Sequence, residues 1–510
     1  MVLRGVLIVV LATSGSVCAA QAVASPFGNS QSPRFSLAAV RAGEGSGASS
    51  QPISVLSYGA DPTCARDSTA AIDNAVAAAA TASKEVYFPA GCYAHDNLIQ
   101  DPGITLLGVG DQTEIRATGG IVTYRIASWS VGQRGVFTLN VSGNTQVYAG
   151  APITVTGLSG YVGSCDPNGK QFPVTATPTV IAFMPSSGLC TSGKGDSGSV
   201  ANREPNSAIF MRGVGPELRN LKITTTYLGE RTGNDYSAAV LNVATHFVVD
   251  HVHIVGSAGV GYQCQGCSDG SETNNIVEET RADGFYHSGC AGNINSANNI
   301  ARNTGDDSFS VNSYQKDRCL THDIAFQNDV SINSHARGFE VDGGENISYT
   351  GGSVTNTRLT CIFIHGGSGA VYKTTPATSI SVTGVVFSEC RGPGVYIAGT
   401  GGENYPVTRV TIADVTGTNL DSVAVQLGDG FGGRTTELKV LNSSFTAASP
   451  ETSPGILVVG AKGITLTDDT FRGFGQNCVL VKPLYGDGAP LVGTNLGCDG
   501  KRKSLSVMRP

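Results

Sequence analysis

Charge is scarce in this 510-residue chain: Asp, Glu, Lys and Arg make up 14% of it, against roughly a quarter in an average soluble protein. Like charges form no runs and the net charge is −7, so the basic footprint of a DNA- or RNA-binding protein is missing and nucleic acid is not an expected partner. Tryptophan occurs once, at Trp129, which gives no basis for a long aromatic platform. No segment has the roughly 20 consecutive apolar residues that a membrane-spanning helix needs. A disordered polyelectrolyte and a coiled coil are both excluded by this composition.

Glycine, by contrast, is abundant at 67 residues, about twice the usual share of about 7%. It follows no Gly-X-Y period, so turns must be frequent. Arg4, the apolar stretch Val6 to Ala12 and the small residues Ala22-Val23-Ala24 have the layout of a secretory signal over residues 1–24, cleaved near Ser25. Removing Cys18 with it leaves an even set of cysteines in a chain bound for an oxidising compartment, extracellular or periplasmic, where disulfides are expected. Cys64 with Cys92, Cys165 with Cys190 and Cys478 with Cys498 are plausible local pairs. Cys264, Cys267, His287 and Cys290 have the ligand types of a zinc site, but the compartment favours disulfides, so no metal and no cofactor is expected.

Residues 25–51 are rich in Ser, Gly, Ala and Gln and read as a flexible lead-in. From 52 to 119 the chain alternates short strands with one helix. Ile53 to Asp61 is a strand, Asp67-Ser68-Thr69 caps an Ala-rich helix to about Ser83, and Ile72, Val76 and Ala79 share a helical face. Residues 120–206, with Trp129 and the Cys165 and Cys190 pair, read as a small antiparallel β insertion. Residues 207–510 settle into units of roughly 21 to 33 residues, a solenoid period. Each unit carries apolar alternation with Asn, Asp and Gly between strands, as a coil needs. The fold class expected is all-β: a parallel β-helix with a short N-terminal capping helix and a small β insertion.

Three units share one register: Asp283-Gly284-Phe285-Tyr286, Asp307-Ser308-Phe309-Ser310 and Arg337-Gly338-Phe339-Glu340. If the phenylalanines stack inside, Asp283, Asp307 and Arg337 form a column at the corner, with neighbouring rungs about 4.8 Å apart. Asp306 adds another carboxylate. Taken singly, each aspartate is a common turn former. Clustered, they should raise at least one pKa, which keeps a protonated acid beside an ionised base. An inverting glycosidase needs two carboxyl groups roughly 6.5 to 9.5 Å apart, a gap that residues one or two rungs apart can span. Tyr286, His287, Tyr314, Arg318, His335, Arg337, Glu340 and Asp342 are candidate substrate-binding residues around this patch, although parity with Val311 and Val341 also allows His287 to be an inward histidine.

Tyr58-Gly59-Ala60, the helix start at Asp67-Ser68-Thr69, Tyr87-Phe88-Pro89-Ala90-Gly91 and Leu107-Gly108-Val109-Gly110 together resemble the opening of pectate-lyase-superfamily proteins. That resemblance implies a right-handed parallel β-helix whose helix covers the end of the coil. Arg281-Ala282-Asp283-Gly284 and Gly305-Asp306-Asp307 resemble the Asn-Thr-Asp-Gly and Gly-Asp-Asp of the polygalacturonase family. Arg302-Asn303-Thr304-Gly305-Asp306-Asp307 is closer still to the mycodextranase and α-1,3-glucanase family. Both are inverting polysaccharide hydrolases. Carried over, Asp306 is the general acid, while Asp283 and Asp307 activate water. Polygalacturonases place His where register puts Arg337 here, and their later Arg-Ile-Lys has no counterpart. The expected function is therefore secreted, metal-free polysaccharide hydrolysis with inversion. The alternatives are a lyase or epimerase acting on uronates, or a noncatalytic glycan-binding coil.

Overall fold

The computed structural model describes residues 51–510 apart from 97–98, 119–121, 133–134, 143–151, 170, 177–179, 185–189, 203–206, 226–230, 232–237, 368–372, 401–404, 430–433, 450–452, 476–477, 483–490, 499–500 and 507–510. The expected signal segment 1–24 and most of the lead-in 25–51 lie outside these residues.

The chain winds as a right-handed parallel β-helix, and one coil shows how the sequence makes it. Phe285–Ser288 is the first strand, Gly292–Ala297 the second and Ile300–Arg302 the third, and the next coil repeats them as Phe309–Asn312, His322–Gln327 and Val330–Ser334. First strands pair only with first strands in a 12-stranded parallel sheet, and the other two contribute to a larger sheet. The sequence reading found two strands per unit; the third escapes it because only two residues separate it from the second. The bend there is one residue in the left-handed region: Asn274, Asn298, Asn328, Asp414, Asn442 and Asp468, with φ from 52° to 58°. Asn and Asp tolerate this backbone better than other non-glycine residues.

Inside, side chains stack coil on coil. Phe285 and Phe309 lie parallel with centroids 5.0 Å apart, and Phe309 meets Phe339 edge-on at 5.7 Å. The helix, Thr69–Ala82, buries Ile72, Ala75, Val76 and Ala79, and these join the same core as Val55, Val86 and Phe88. Its capping bond comes from Asp67, whose carboxylate accepts the Thr69 N–H at 3.0 Å; the Ser68 hydroxyl instead accepts from the Asp61 N–H. Strands between Val122 and Asn202 form a separate antiparallel sheet around its own core of Trp129, Phe137 and Ile153.

Disulfides join Cys64 to Cys92 and Cys165 to Cys190, as expected, and also Cys264 to Cys267, Cys290 to Cys319 and Cys361 to Cys390. These bonds remove the zinc alternative, because Cys264, Cys267 and Cys290 have no free thiolate to offer. Cys478 is also disulfide-bonded, and the side chain of its expected partner, Cys498, lies outside the described residues.

A polar ladder crosses the interior at the bend. The Asn299 side chain accepts the Asn275 N–H at 2.9 Å, and the Asp329 carboxylate accepts the Asn299 N–H at 2.7 Å. Burial pushes the Asp329 carboxyl up to about 7, against the opposing bond from Asn299. With the folded pKa above the unfolded one, its contribution to stability is complete below the ordinary carboxylate range and is lost as pH rises through about 7. Asp329→Asn keeps the acceptor and removes the charge. Its stabilisation should be roughly 2 to 3 kcal/mol larger at pH 8 than at pH 4.5. Urea unfolding at the two pH values measures this, and an equal effect at both would refute a buried ionising Asp329.

Candidate active site

The corner from the third strand of one coil to the first strand of the next brings the carboxylates together. Phe285 pairs with Phe309 and Phe309 with Phe339, which fixes Asp283, Asp307 and Arg337 as a column two residues earlier. Backbone bonds hold the column: the Gly284 N–H donates to the Asp307 carbonyl at 2.9 Å and the Ser308 N–H to the Arg337 carbonyl at 3.0 Å.

Asp283 is buried and accepts a bond from the Ser310 hydroxyl at 2.8 Å. Asp307, also buried, accepts from the Arg337 N–H at 2.7 Å and from Arg337 Nη1 at 2.9 Å. Asp306 is the most open of the three, with 29% of its side chain exposed, and pairs with Arg231. One carboxylate oxygen from each lies within 4.8 Å of the others. Glu340, next to Ser310 in the sheet, is buried and accepts from Asn312 Nδ2 at 3.3 Å.

This crowding separates the protonation states. Burial first, then the charges of Asp307 and Asp306, push the Asp283 pKa well above the ordinary carboxylate range. Burial lifts Asp307 too, but the opposing Arg337 guanidinium holds it to about 6. Glu340 is pushed well up by burial, with Asp307 and Asp342 adding to it. Burial works against the Arg337 charge, and Asp307 and Glu340 override it, so its pKa rises. Burial and like charge therefore favour the proton on Asp283, while Arg337 opposes the same lift at Asp307, which separates an acid from a base within one patch. A group of three carboxylates could also ligate a divalent cation. Guanidinium groups already meet Asp306 and Asp307, and a cation would have to displace them.

The nearest oxygens of the three carboxylates fall within 4.8 Å of one another. Two oxygens this close can both bond one water at about 2.8 Å each.

Of the other predicted residues, Tyr286 and Tyr314 meet through their hydroxyls at 3.0 Å, and Lys316 lies 4.9 Å from the Tyr314 ring centre. Asp342 accepts from His365 Nδ1 at 2.8 Å and from the Thr374 hydroxyl at 2.7 Å. Three candidates do not belong to this patch. His287 is fully buried and points inward, its Nε2 3.0 Å from Glu272 Oε2, because its parity is that of Val311 and Val341. Burial opposes its protonation, but the Glu272 carboxylate outweighs that and raises its pKa. His335 is exposed and lines a groove that contains none of the three aspartates, being two residues before Arg337 on the other side of the corner. Arg318 ends the 3-10 turn Gln315–Asp317, exposed, with no hydrogen bond or ion pair to the aspartates.

Sequence reasoning missed four contributors. Ser310, Asn312 and Phe363 were within reach of the register, since the residue after Phe309, Phe339 or Ile362 faces outward; the Phe363 ring lies 4.2 Å below the Arg337 guanidinium. Arg231 was not, because it meets Asp306 from 75 residues away and no local spacing encodes that contact.

A family profile described as rhamnogalacturonase A/epimerase, pectate lyase-like, matches residues 52–151. The fold is that of a pectate-lyase-like β-helix. The β-helix is similar to the catalytic unit of a thermostable GH87 α-1,3-glucanase from Streptomyces thermodiastaticus strain HF3-3, with TM-score 0.59 and 18% identity over 89% of this chain and 69% of that one. It is similar also to the A-module of the Azotobacter vinelandii mannuronan C-5 epimerase AlgE6, with TM-score 0.55 and 15% identity over 88% of this chain and 99% of that one. At these identities the likeness speaks for the fold. No curated protein matches the chain in sequence.

Proposed function

We propose that this chain is a secreted enzyme that hydrolyses a glycosidic bond in a polysaccharide with inversion. The observation that carries the reading is the cluster of Asp283, Asp306 and Asp307, one oxygen of each lying within 4.8 Å of the others, with burial and like charge favouring a proton on Asp283 while Arg337 opposes the same lift at Asp307. Water held between Asp283 and Asp307 attacks the anomeric carbon and gives its proton to Asp307. Asp306, the most open of the three, protonates the leaving glycosidic oxygen as the C–O bond breaks, its proton supplied across the cluster from Asp283 once substrate has displaced Arg231. The five disulfides support passage through an oxidising compartment, and among the described residues no helix is long and apolar enough to cross a membrane.

A neutral sugar at the cleavage point fits better than a uronate, because Arg337, the guanidinium in the column, is engaged by Asp307. The second reading, a lyase or epimerase on uronates, draws on the buried guanidinium of Arg337 and on the likeness to a mannuronan C-5 epimerase. It requires Arg337 to leave Asp307 and take the substrate carboxylate.

A panel of α-glucans, pectins and bacterial exopolysaccharides separates these readings. Hydrolysis predicts new saturated reducing ends, with the inverted anomer appearing first by proton NMR. Ultraviolet absorbance from an unsaturated end, or altered sugar configuration without cleavage, would replace it with the lyase or epimerase. A retained anomer would make one aspartate a nucleophile, and silence across the panel would favour a glycan-binding coil.

A further inference from the structure

On the far side of the same corner lies a second feature that the proposed chemistry does not use. Glu278 pairs with Arg302 and Arg302 with Ile332, while Ser334 pairs with Thr357 and Thr357 with Cys390. Counting on from these pairs puts Arg281, Gly305, His335, Arg358 and Arg391 in one column, one residue per coil. A Cβ at Gly305 would lie 2.4 Å from the Arg281 carbonyl oxygen, so this rung carries no side chain and leaves a notch.

The four side chains of the column are exposed and line one groove of about 580 Å³. Among the described residues, no carboxylate forms an ion pair with Arg281, Arg358 or Arg391. The acidic residue in the lining, Glu279, is held by Asn303 Nδ2 at 2.8 Å. Arg358 and Arg391 are on adjacent rungs about 4.8 Å apart, where like charges oppose one another, and Arg281 lies three rungs away across Gly305 and His335, so an extended anion could reach all three.

The opposite wall narrows the identity of that anion. Asn333 donates to Asn303 at 3.0 Å and Asn356 to Asn333 at 2.8 Å, which makes a fixed amide ladder beside the cations. Carbonyl and amide edges at this spacing suit hydroxyl-rich polymers. The lining holds no Phe, Tyr or Trp on which bases would stack, which argues against a nucleic acid.

We propose that this groove binds an acidic polysaccharide segment, its carboxylate or sulfate groups seated on Arg281, Arg358 and Arg391, at a site separate from the aspartate cluster. It does not depend on the hydrolase reading. Electrophoresis of the purified full chain through gels containing polygalacturonate, dextran sulfate or neutral dextran tests it. Single-stranded DNA is titrated in parallel. The expected result is retardation by one or both acidic glycans, weakened by salt, and absent with neutral dextran. Retardation by polygalacturonate alone or by dextran sulfate alone identifies the anionic group. The double variant Arg358→Gln/Arg391→Gln should bind about tenfold more weakly, with unchanged thermal unfolding and unchanged catalytic turnover on any small substrate found. No retardation by either acidic glycan, retardation that the double variant preserves, or tighter binding of DNA than of both acidic glycans would overturn the proposal.

Discussion

Asp306→Asn is expected to lower kcat for glycosidic cleavage by about 10²- to 10⁴-fold, the range of a lost general acid or base, while substrate binding and stability are kept. Asn is isosteric, and the partner it leaves, Arg231, is half exposed and can be solvated. The proposed role makes a sharper demand than simple loss. A substrate with a good leaving group needs no proton on departure, so an activated aryl glycoside should restore much of the rate to Asp306→Asn and little to Asp307→Asn. Equal rescue of both variants would remove Asp306 from the role of acid. The pH profile carries the complementary signature. Asp307 must be ionised to take a proton from water, so kcat/KM should fall on the acid side near pH 6, where its carboxyl titrates. The three groups interact strongly, so that limb belongs to the cluster. Asp307→Asn should abolish the limb together with most of the rate.

The corner cluster was legible because it rests on a one-dimensional rule. In a coil with period-2 strands, aligning Phe285, Phe309 and Phe339 fixes the rung of everything beside them, and the structure pairs these three as aligned. The same rule sends His287 inward, and parity with Val311 gave that signal. His335 was misassigned for a different reason. Two residues from Arg337 in sequence, it lies across a corner, and a turn reverses facing in a way that strand alternation does not describe. Arg231 shows where sequence reading stops, since its contact with Asp306 depends on how one connection folds over another. The disulfide between Cys264 and Cys267 was hidden because its spacing also suits a metal, and only the path of the backbone decides.

Removing the guanidinium that restrains Asp307 should be the most damaging single change to the fold at this site. Arg337→Ala leaves Asp307 buried with the Arg337 N–H as its remaining bond from that residue. An uncompensated buried charge costs about 3 to 5 kcal/mol, and about 3 is expected here at pH 8 because Arg337 is itself a quarter exposed. The sign of the pH dependence follows from the direction of the shift. The Asp307 pKa in the folded protein already lies above its ordinary value, so its contribution is complete below the ordinary carboxylate range and is lost as pH rises through about 6. Without Arg337 the folded pKa climbs further and the loss continues to higher pH. The penalty should therefore be large at pH 8 and small at pH 5, where Asp307 takes up a proton. A pH-independent remainder will reflect the lost packing of Arg337 on Phe363. The double variant Asp307→Asn/Arg337→Ala should recover most of the pH 8 loss, because it removes the stranded charge together with its partner. Arg337→Lys should recover less, since an ammonium cannot reproduce the planar guanidinium that both donates to Asp307 and lies on the ring. Urea unfolding of the four proteins at pH 5 and pH 8 decides the matter. If Arg337→Ala loses the same stability at both, Arg337 serves packing alone, and Asp307 does not owe its poise near neutrality to that guanidinium.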